Sequence, residues 1–347
     1  MTKTVLITGG CGFVGRYMMW HYLRLGWFVT ILDDLSTGTL DQITFHPRLS
    51  IHFGSVLDLD RLAPLVENSD LVIHLASVVG VRLAHSVADH AYRVSVQGTA
   101  NVIALSDDQP LVLVSSSAVY GLNHRGMVFE DDSCDEASAL EYDGGIPGYA
   151  TGKLHMEALG RKAMHAGRKI LLVRPFNLVG SGQSSHYGMV LPTFVMRALT
   201  GLPLQVYDDG SQTRSFSDIE VFISVLTCLI ETPAAWSPEN FIVNIGNPTD
   251  TSIIALGRIV IDACDVNGSI EFVPFDSVFP GKKDPHIRIP GSTRINSLIG
   301  KVEWGEIREI VNRVAQYEKS RLKSSAIHSF NPNILTKQFG QLSHVNP

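Results

Sequence analysis

Short apolar runs alternate with helical segments over the first half of the chain. Val5–Thr8 is followed at once by glycines and then by a helical pattern, Phe13 to Leu25, that ends at Gly26. Further apolar runs, with helical sequence between them, lie at Trp27–Leu32, Leu71–Leu75, Leu111–Ser115 and Ile170–Val173. Strands that alternate with helices build βαβ units, so this pattern predicts an α/β fold with a parallel sheet covered on both faces.

The rhythm changes beyond about residue 177, where longer irregular segments rich in Gly, Pro, Ser and Asp begin. We expect residues 1–177 to form one domain, to which the chain returns within about 214–246, at Phe241–Ile245. Residues 178–320 are expected to form mainly a smaller substrate-binding domain at the carboxyl ends of the strands, where open α/β sheets bind ligands. Residues 321–347 are polar and without strong periodicity, which predicts a partly ordered tail.

Composition narrows the class of protein. The 347 residues carry a net charge of −6, which gives no electrostatic reason to expect nucleic acid or an anionic membrane as a partner. No apolar run approaches the roughly 20 residues of a membrane span. The four cysteines have no CxxC spacing, so we expect neither a metal site nor disulfides. The N-terminus leads directly into a strand, with no room for a signal peptide, and a cytoplasmic protein is expected.

A glycine-rich turn follows the first predicted strand. Gly9, Gly12 and Gly15 form a G-x-x-G-x-x-G run between a strand and a helix. Glycines there permit a tight turn, and the backbone N–H groups at the start of the helix, including Phe13 and Val14, can approach a pyrophosphate. The sequence therefore predicts a Rossmann-type, doubly wound sheet with a dinucleotide site.

Three aspartates are candidates for the remainder of the cofactor. Asp33 follows Gly15 by 18 residues and ends the second apolar run. A carboxylate at that place binds the ribose 2′-hydroxyl and repels a 2′-phosphate, which favours NAD over NADP. Asp34 is an alternative ribose ligand, and Asp58 is a candidate contact to the adenine.

A tyrosine and a lysine have the spacing of a proton-transfer pair. Tyr149 and Lys153 are four residues apart, so on a helix they lie on one face. A nearby ammonium, together with the positive nicotinamide of an oxidised cofactor, stabilises phenolate and makes the phenol a usable base. The fourth strand ends in Ser115, Ser116 and Ser117, and Ser116, helped by Ser117, is predicted to hydrogen-bond the same substrate oxygen.

With these residues the chain resembles an extended short-chain dehydrogenase/reductase of the NAD-dependent sugar epimerase/dehydratase group, over about residues 3 to 315. The resemblance rests on an ordered set of motifs: TGGCGFVG (8–15), DDLSTG (33–38), HLAS (74–77), SSSAVYG (115–121), YATGK (149–153), RPFNLVG (174–180), DDGSQTRSF (208–216) and NIGNP (244–248). It implies cofactor contacts at Leu75, Ala76 and Ser115 as well, with Tyr149 and Lys153 contacting both cofactor and substrate.

The resemblance also implies the substrate. Members of the group usually act on a nucleoside-diphosphate sugar, most often UDP-linked. Asn177, Arg214 and Arg288 stand at positions similar to the group's nucleotide and diphosphate contacts, and the arginine fork suits phosphate oxygens. Arg82, in a loop similar to that of UDP-glucuronate 4-epimerases, is a candidate for a sugar carboxylate or hydroxyl. The group pairs through helices, so a homodimer is expected.

One departure from the group's pattern bears on the reaction. Decarboxylating members carry Thr/Ser-Ser-Glu and dehydratases carry Thr-Asp-Glu where this chain has Ser116, Ser117 and Ala118. Eliminating water needs an acid/base beside the ketone, which alanine lacks. We therefore expect a UDP-sugar 4-epimerase (an isomerase) with tightly held NAD, on UDP-glucuronate or a UDP-hexose. The alternatives are oxidative decarboxylation of a UDP-glucuronate-type substrate and, after it, a dehydratase or a non-catalytic NAD sensor.

Overall fold

The computed structural model describes residues 2–79, 87–124, 126–279 and 288–329. Its strands are β1 (Thr4–Thr8), β2 (Phe28–Asp33), β3 (Leu49–Phe53), β4 (Leu71–His74), β5 (Leu111–Val114), β6 (Gly126–Val128), β7 (Ile170–Pro175), β8 (Leu178–Val179), β9 (Leu204–Tyr207), β10 (Thr213–Ser215), β11 (Ser217–Asp218), β12 (Ile242–Ile245), β13 (Asp250–Ser252), β14 (Ile270–Val273) and β15 (Arg288–Pro290). Its helices are α1 (Phe13–Arg24), α2 (Leu59–Glu67), α3 (Ala88–Leu105), α4 (Glu136–Tyr142), α5 (Tyr149–His165), α6 (Val190–Leu199), α7 (Ile219–Glu231), α8 (Ile253–Cys264), α9 (Phe275–Val278), α10 (Thr293–Ile299) and α11 (Ile307–Ser329), with 3₁₀ turns at Ser117–Tyr120 and Pro233–Trp236.

A seven-stranded parallel sheet forms the centre of the fold, in the order β12-β7-β5-β4-β1-β2-β3. Strand β1 lies between β2 and β4, with Val5 opposite both Val29 and Leu71. The chain runs outward from β1 to one edge and then restarts beside β1 toward the other, which creates a switch point between β1 and β4. The Rossmann-type fold is confirmed, and the predicted return to the sheet is β12.

Side chains of β1 alternate between the two faces of the sheet. Val5 and Ile7 join one buried cluster with residues of α1 and α7, whereas Leu6 joins another with residues of α2, α3 and α5. Because successive side chains of a strand point to opposite faces, helices on both sides are needed to cover a strand that is apolar throughout. The alternation of apolar runs and helices in the sequence reflects this.

A further buried cluster lies outside the large sheet. It joins α6, α8, α11 and strand β9 through side chains such as Phe194, Leu256 and Val311. However, α7 and the segment around Ile295 and Trp304 pack on the large sheet instead. The segment 178–320 therefore does not share one core, and the boundary between the two predicted domains stays a prediction.

Helix α11 continues past the place where the tail was expected to begin. Residues 321–329 are helical, and Arg321 donates to the carboxylate of Glu318 at 2.8 Å. The buried positions Ile310, Val311 and Val314 fix the helix on its N-terminal side, and the polar sequence that follows propagates it without an apolar stripe. Among the described residues, no helix is long and apolar enough to cross a membrane.

Candidate active site

Many of the predicted cofactor-binding and catalytic residues lie at one edge of the large sheet. The glycine loop follows β1, Asp33 ends β2, Leu75 follows β4, the serines follow β5 and Asn177 follows β7. Parallel strands bring their carboxyl ends to the same edge, next to the switch point between β1 and β4. The fold thus gathers residues that are up to about 170 positions apart in sequence.

The glycine loop is shaped by close backbone contacts. A Cβ atom on Gly9, which has φ of 71°, would lie 2.9 Å from the backbone nitrogen of Ala76. On Gly15 it would lie 2.5 Å from the carbonyl oxygen of Gly9, while on Gly12 it would meet only that oxygen, at 3.2 Å. Gly9 and Gly15 are therefore required by packing, and Gly12 leaves the face of the loop open to a ligand.

Helix α1 begins directly behind this open face. Its N-cap, Gly12, offers no side-chain acceptor, and the first turn contains no acidic residue. The N–H groups of Phe13, Val14 and Gly15 therefore keep the partial positive charge of a helix N-terminus. This arrangement fits a pyrophosphate, and the orphaned, buried hydroxyl of Ser77 on the neighbouring loop adds a polar group to the same edge.

The three aspartates have different surroundings. Asp33 is buried and accepts the N–H groups of Cys11 at 2.9 Å and Leu35 at 2.8 Å, so that it fastens the glycine loop to the end of β2. Burial raises its pKa, and these two hydrogen bonds act in the opposite direction. Asp34 is exposed and accepts the N–H of Ser36 in its own loop, and Asp58 caps α2 by accepting the N–H of Arg61. Only Asp33 is thus buried against the loop, although contacts of all three with a cofactor remain predictions.

His74 is the last residue of β4, and each of its ring nitrogens hydrogen-bonds a threonine hydroxyl. The Thr8 hydroxyl lies 2.7 Å from Nδ1 and accepts the N–H of Ala76 at 3.3 Å, whereas the Thr99 hydroxyl lies 3.1 Å from Nε2 and donates to the carbonyl oxygen of Ser95 at 2.6 Å. Since the Thr99 proton is used, Nε2 carries the imidazole proton and Nδ1 accepts. Burial, with a smaller contribution from Lys153, lowers the pKa of His74 to about 3. A neutral His74 therefore holds the backbone at the predicted contacts Leu75 and Ala76.

Tyr149, Ser116 and Lys153 lie close together in the structure. Tyr149 opens α5, and Ser116 hydrogen-bonds its phenol. The Lys153 ammonium is buried, donates to the carbonyl oxygen of Val114 at 2.7 Å and lies 6.0 Å from the centre of the Tyr149 ring. Burial raises the pKa of Tyr149 to about 12, and the hydrogen bond with Ser116 lowers it. Burial lowers the pKa of Lys153 to about 7, and the charge of Glu157 raises it.

An ion pair that the sequence did not reveal supports the same helix. Glu157, one turn beyond Lys153, receives the Arg174 guanidinium through hydrogen bonds of 2.9 and 2.6 Å, and both side chains are at most 2% exposed. The Ser115 hydroxyl donates to the same carboxylate at 2.6 Å. Ser115 therefore braces α5 with its side chain, and its predicted contact with a cofactor would be through its backbone. The RPFN motif contains Arg174, but nothing in its spacing points to Glu157.

Ala118, which stands where related enzymes have a glutamate, is packed on both sides. Ala118 is 3% exposed and packs with Ala139 of α4 and Ala150 of α5. Ser117 beside it is also buried, within the 3₁₀ turn. Three small side chains let α4 and α5 approach this turn closely, so we expect a longer side chain at 118 to overpack this contact.

Two of the predicted substrate residues lie on neighbouring short strands outside the large sheet. Strand β10, which carries Arg214, lies against β15, which carries Arg288. Arg288 is buried, donates to the carbonyl oxygen of Gly121 and covers the ring of Tyr142 at 5.3 Å. Asn177 has φ of 32° and donates to the carbonyl oxygen of Ser215 at 2.8 Å, which ties the end of β7 to the end of β10. The fourth candidate, Arg82, lies outside the described residues.

Gly291 follows the strand of Arg288 and lies against an aromatic ring. A Cβ atom at Gly291 would lie 2.3 Å from the ring of Phe129. The aromatic ring occupies the space of a side chain at this position, next to the strand of Arg288.

A family model described as the NAD dependent epimerase/dehydratase family matches residues 5–246. The chain belongs to this family. The resemblance seen in the motifs is confirmed, as is NAD as the cofactor. The glycine loop, the free N-terminus of α1 and buried Asp33 are the parts of the structure that fit it.

Relatives within the family include decarboxylases. The chain is 28% identical over 307 residues to a UDP-N-acetyl-alpha-D-glucosaminuronate decarboxylase of Bacillus cytotoxicus, covering 86% of this chain and 92% of the relative. It is 27% identical over 336 residues to UDP-glucuronic acid decarboxylase 1 of Danio rerio, covering 95% and 76%. A solved UDP-glucose 4-epimerase of Thermotoga maritima is similar in fold, with a TM-score of 0.81, 19% identity and coverage of 92% and 99%.

Proposed function

We propose that this enzyme oxidises C4 of a UDP-linked uronate with NAD and lets the resulting β-keto acid lose its carboxyl group as carbon dioxide. The observation that carries the proposal is that Ser116, Tyr149 and Lys153 form a hydride-transfer set, which suits oxidation of C4 and its later reduction. Once C4 is a ketone, the β-keto acid can lose carbon dioxide without a strong base, so the alanine at position 118 does not exclude this reaction. The two decarboxylase relatives direct the choice to a uronate.

Residues at the sheet edge would hold the cofactor. The N–H groups at the start of α1 suit the pyrophosphate, Asp33 suits a ribose hydroxyl, and Lys153 suits the ribose next to the nicotinamide. When bound, the oxidised nicotinamide accepts and returns the hydride, and its positive charge stabilises a nearby phenolate. The chain's own groups leave the pKa of Tyr149 raised, so a positive charge of this kind is needed for the phenol to act as a base.

The proton steps fall to Tyr149 and Ser116. The phenolate takes the proton of the C4 hydroxyl as the C4 hydrogen leaves as hydride, with Ser116 hydrogen-bonded to the same oxygen. Loss of carbon dioxide then breaks the C5–C6 bond, and its electron pair forms an enolate over C5, C4 and the C4 oxygen. Tyr149 hydrogen-bonds that oxygen while C5 takes a proton from water, which leaves hydroxide. When the hydride returns to C4, Tyr149 gives its proton to the C4 oxygen, and the product is a UDP-pentose. None of these steps uses an acid at position 118.

The substrate's diphosphate would be held by arginines and an amide. Arg214 and Arg288 lie on neighbouring strands, and the guanidinium fork binds phosphate oxygens in pairs. Arg288 is held in place by Gly121 and Tyr142 before any ligand binds, which reduces the entropy lost on binding. Asn177 is fixed at the neighbouring strand end and suits a nucleotide contact.

A direct test uses UDP-glucuronate, and in parallel UDP-N-acetylglucosaminuronate, labelled with ¹³C at C6. We expect one labelled carbon dioxide for each sugar consumed, together with a UDP-linked pentose or its 4-keto form, resolved by NMR. The variant Tyr149→Phe should release none. Consumption of neither uronate by the NAD-loaded wild type would contradict the proposal.

A 4-epimerase is the second candidate, and Ala118 favours it, because epimerisation needs no acid/base beyond the hydride-transfer set. In that reaction the 4-keto sugar turns over and the hydride returns to the opposite face. The same experiment separates the two reactions: UDP-galacturonate formed from UDP-glucuronate without release of labelled carbon dioxide would establish the epimerase. The homodimer expected from the resemblance remains a proposal.

A further inference from the structure

The proposed base stands at the least constrained end of its helix. Tyr149 is the first residue of α5, and its N-cap is Gly148, which has no side chain. The first N–H groups of a helix have no partner within the helix, and this turn frays unless something else binds them. A phenol on such a turn would move with it, and small displacements of a reacting group are costly in rate.

Asp143, six residues before Tyr149, binds this turn from outside the helix. One carboxylate oxygen accepts the N–H of Gly148 at 3.0 Å, the N–H of Thr151 at 2.9 Å and the hydroxyl of Thr151 at 2.7 Å. The other accepts the N–H of Ala150 at 2.9 Å. Asp143 is only 6% exposed, so these four hydrogen bonds are largely protected from water.

The sequence around Gly148 is adapted to this contact. Gly144 and Gly145 have φ of 85° and 86°, a conformation that favours glycine, and they reverse the chain after α4. A Cβ atom on Gly148 would lie 3.3 Å from the carboxyl carbon of Asp143. The carboxylate thus occupies the space that the side chain of an ordinary N-cap residue would need.

We propose that Asp143 is a positioning residue for Tyr149: it replaces the side-chain cap that Gly148 lacks and so holds the phenol against Ser116. The inference rests on the proposed role of Tyr149 as the base. Asp143 also has an electrostatic effect, since burial is the largest cause of the raised pKa of Tyr149 and the charge of Asp143 adds to it. The Asp143 carboxylate therefore raises the pKa of the phenol and at the same time fixes its position.

The test compares Asp143→Asn with a matched variant, Asp135→Asn. Asp135 caps the neighbouring helix α4 by accepting the N–H of Ser138 at 2.7 Å, and it has no contact with α5 among its described hydrogen bonds. In the NAD-loaded enzyme we expect Asp143→Asn to lower kcat about 10- to 100-fold with KM within about twofold. Asp135→Asn also removes a helix cap, so it should lower Tm, but it should leave kcat within about twofold.

Titration of the phenol provides a readout that a purely structural role would not change. With ¹³C-labelled tyrosine, and Tyr149→Phe to assign the signal among the nine tyrosines, the pKa of Tyr149 should fall in Asp143→Asn and not in Asp135→Asn. Because this measurement needs no turnover, it shows whether the Asp143 charge acts on the phenol even if wild type acts on none of the proposed substrates. An unchanged phenol pKa with kcat within twofold of wild type would overturn the inference.

Thr151→Val serves if Asp143→Asn does not fold. This change removes the hydroxyl that donates to Asp143 and accepts from Gly148 at 2.8 Å, but it keeps the carboxylate charge. We expect kcat to fall severalfold while the pKa of Tyr149 does not fall. Full activity in Thr151→Val would contradict the positioning role.

Discussion

The Lys153 ammonium lies 6.0 Å from the centre of the Tyr149 ring and donates to the backbone carbonyl oxygen of Val114 at 2.7 Å. The sequence had led us to expect that this lysine lowers the phenol's pKa. In the chain itself burial dominates, raising the pKa of Tyr149 and lowering that of Lys153. The lysine's contribution therefore depends on being charged, and with its pKa at about 7 that charge is partial at neutral pH.

Replacing Tyr149 with Phe tests the proposed base. The variant removes one hydroxyl and keeps the ring, so we expect turnover to fall by about 10²–10⁴-fold or more, while the affinity for NAD changes little. Steady-state rates and calorimetric titration with NAD measure the two quantities. The control is Tyr22→Phe, which changes a buried ring near the C-terminal end of α1 and should retain full activity. Turnover that survives in Tyr149→Phe would exclude the mechanism.

The two adjacent aspartates can be separated by their effect on the cofactor. Asp33→Asn removes the charge that repels a 2′-phosphate and one acceptor, so the preference for NAD over NADP should fall, by about tenfold. Asp34→Asn alters an exposed side chain and should change that preference less. Dissociation constants for both cofactors check this. A larger effect from Asp34→Asn would move the ribose contact to that residue.

His74 should make the protein sensitive to acid. Its pKa is lowered from 6.5 to about 3 in the folded chain, so between these values the unfolded state binds the extra proton. The free energy of unfolding contributed by neutral His74 is therefore present above pH 6.5 and is lost as the pH falls toward 3, by up to about 1.4 kcal/mol per pH unit. Urea midpoints at several pH values should show a flatter dependence in His74→Gln.

The matched variant for that series is His52→Gln, which changes an exposed ring hydrogen-bonded to Ser50. Its pH dependence should follow that of wild type. If the slopes of His74→Gln and wild type coincide between about pH 6.5 and 4, burial of the neutral imidazole does not contribute as the structure indicates.

Restoring a carboxylate at position 118 should damage the protein rather than change the reaction. A glutamate side chain there would have to enter the space between Ala139 and Ala150, and overpacking of this kind costs about 1–3 kcal/mol. We expect Ala118→Glu to lower the urea midpoint and turnover, and Ala118→Ser to do so less. A stable Ala118→Glu enzyme that forms a dehydrated 4-keto sugar would show that the helices can move apart.

The parts of the fold that were predictable depend on local patterns. The strand before Gly9, the helix after Gly12 and the spacing of Tyr149 and Lys153 each combine nearby residues, and the structure places them as expected. The pairing of Glu157 with Arg174 is not local, since it joins a helix to the strand after it through a contact that no spacing encodes. The role of Asp143 was hidden for a similar reason, because a loop of glycines and a proline separates it from the helix that it caps.

The choice between reactions was predictable only in part. Ala118 correctly directed attention to the missing acid, but it led to an expectation of epimerisation, whereas the decarboxylase relatives favour the alternative. The contacts of β15 with β10 and with the ring of Phe129 join three distant segments, so local patterns do not predict them. The sequence after Ser320 has no apolar stripe to mark a buried face, so its pattern predicts a partly ordered tail without indicating the helix.

The exposed connection between Asp143 and Tyr149 should be unusually intolerant of changes in length. Most surface loops accept insertions at little cost in stability. Here the left-handed conformations of Gly144 and Gly145 set the distance over which the carboxylate reaches back to the helix. Ile146 in this connection is 65% exposed, and a single residue added or removed beside it would move Asp143 relative to the start of α5. The length of this solvent-exposed stretch is therefore set by the hydrogen bonds that Asp143 makes to the helix.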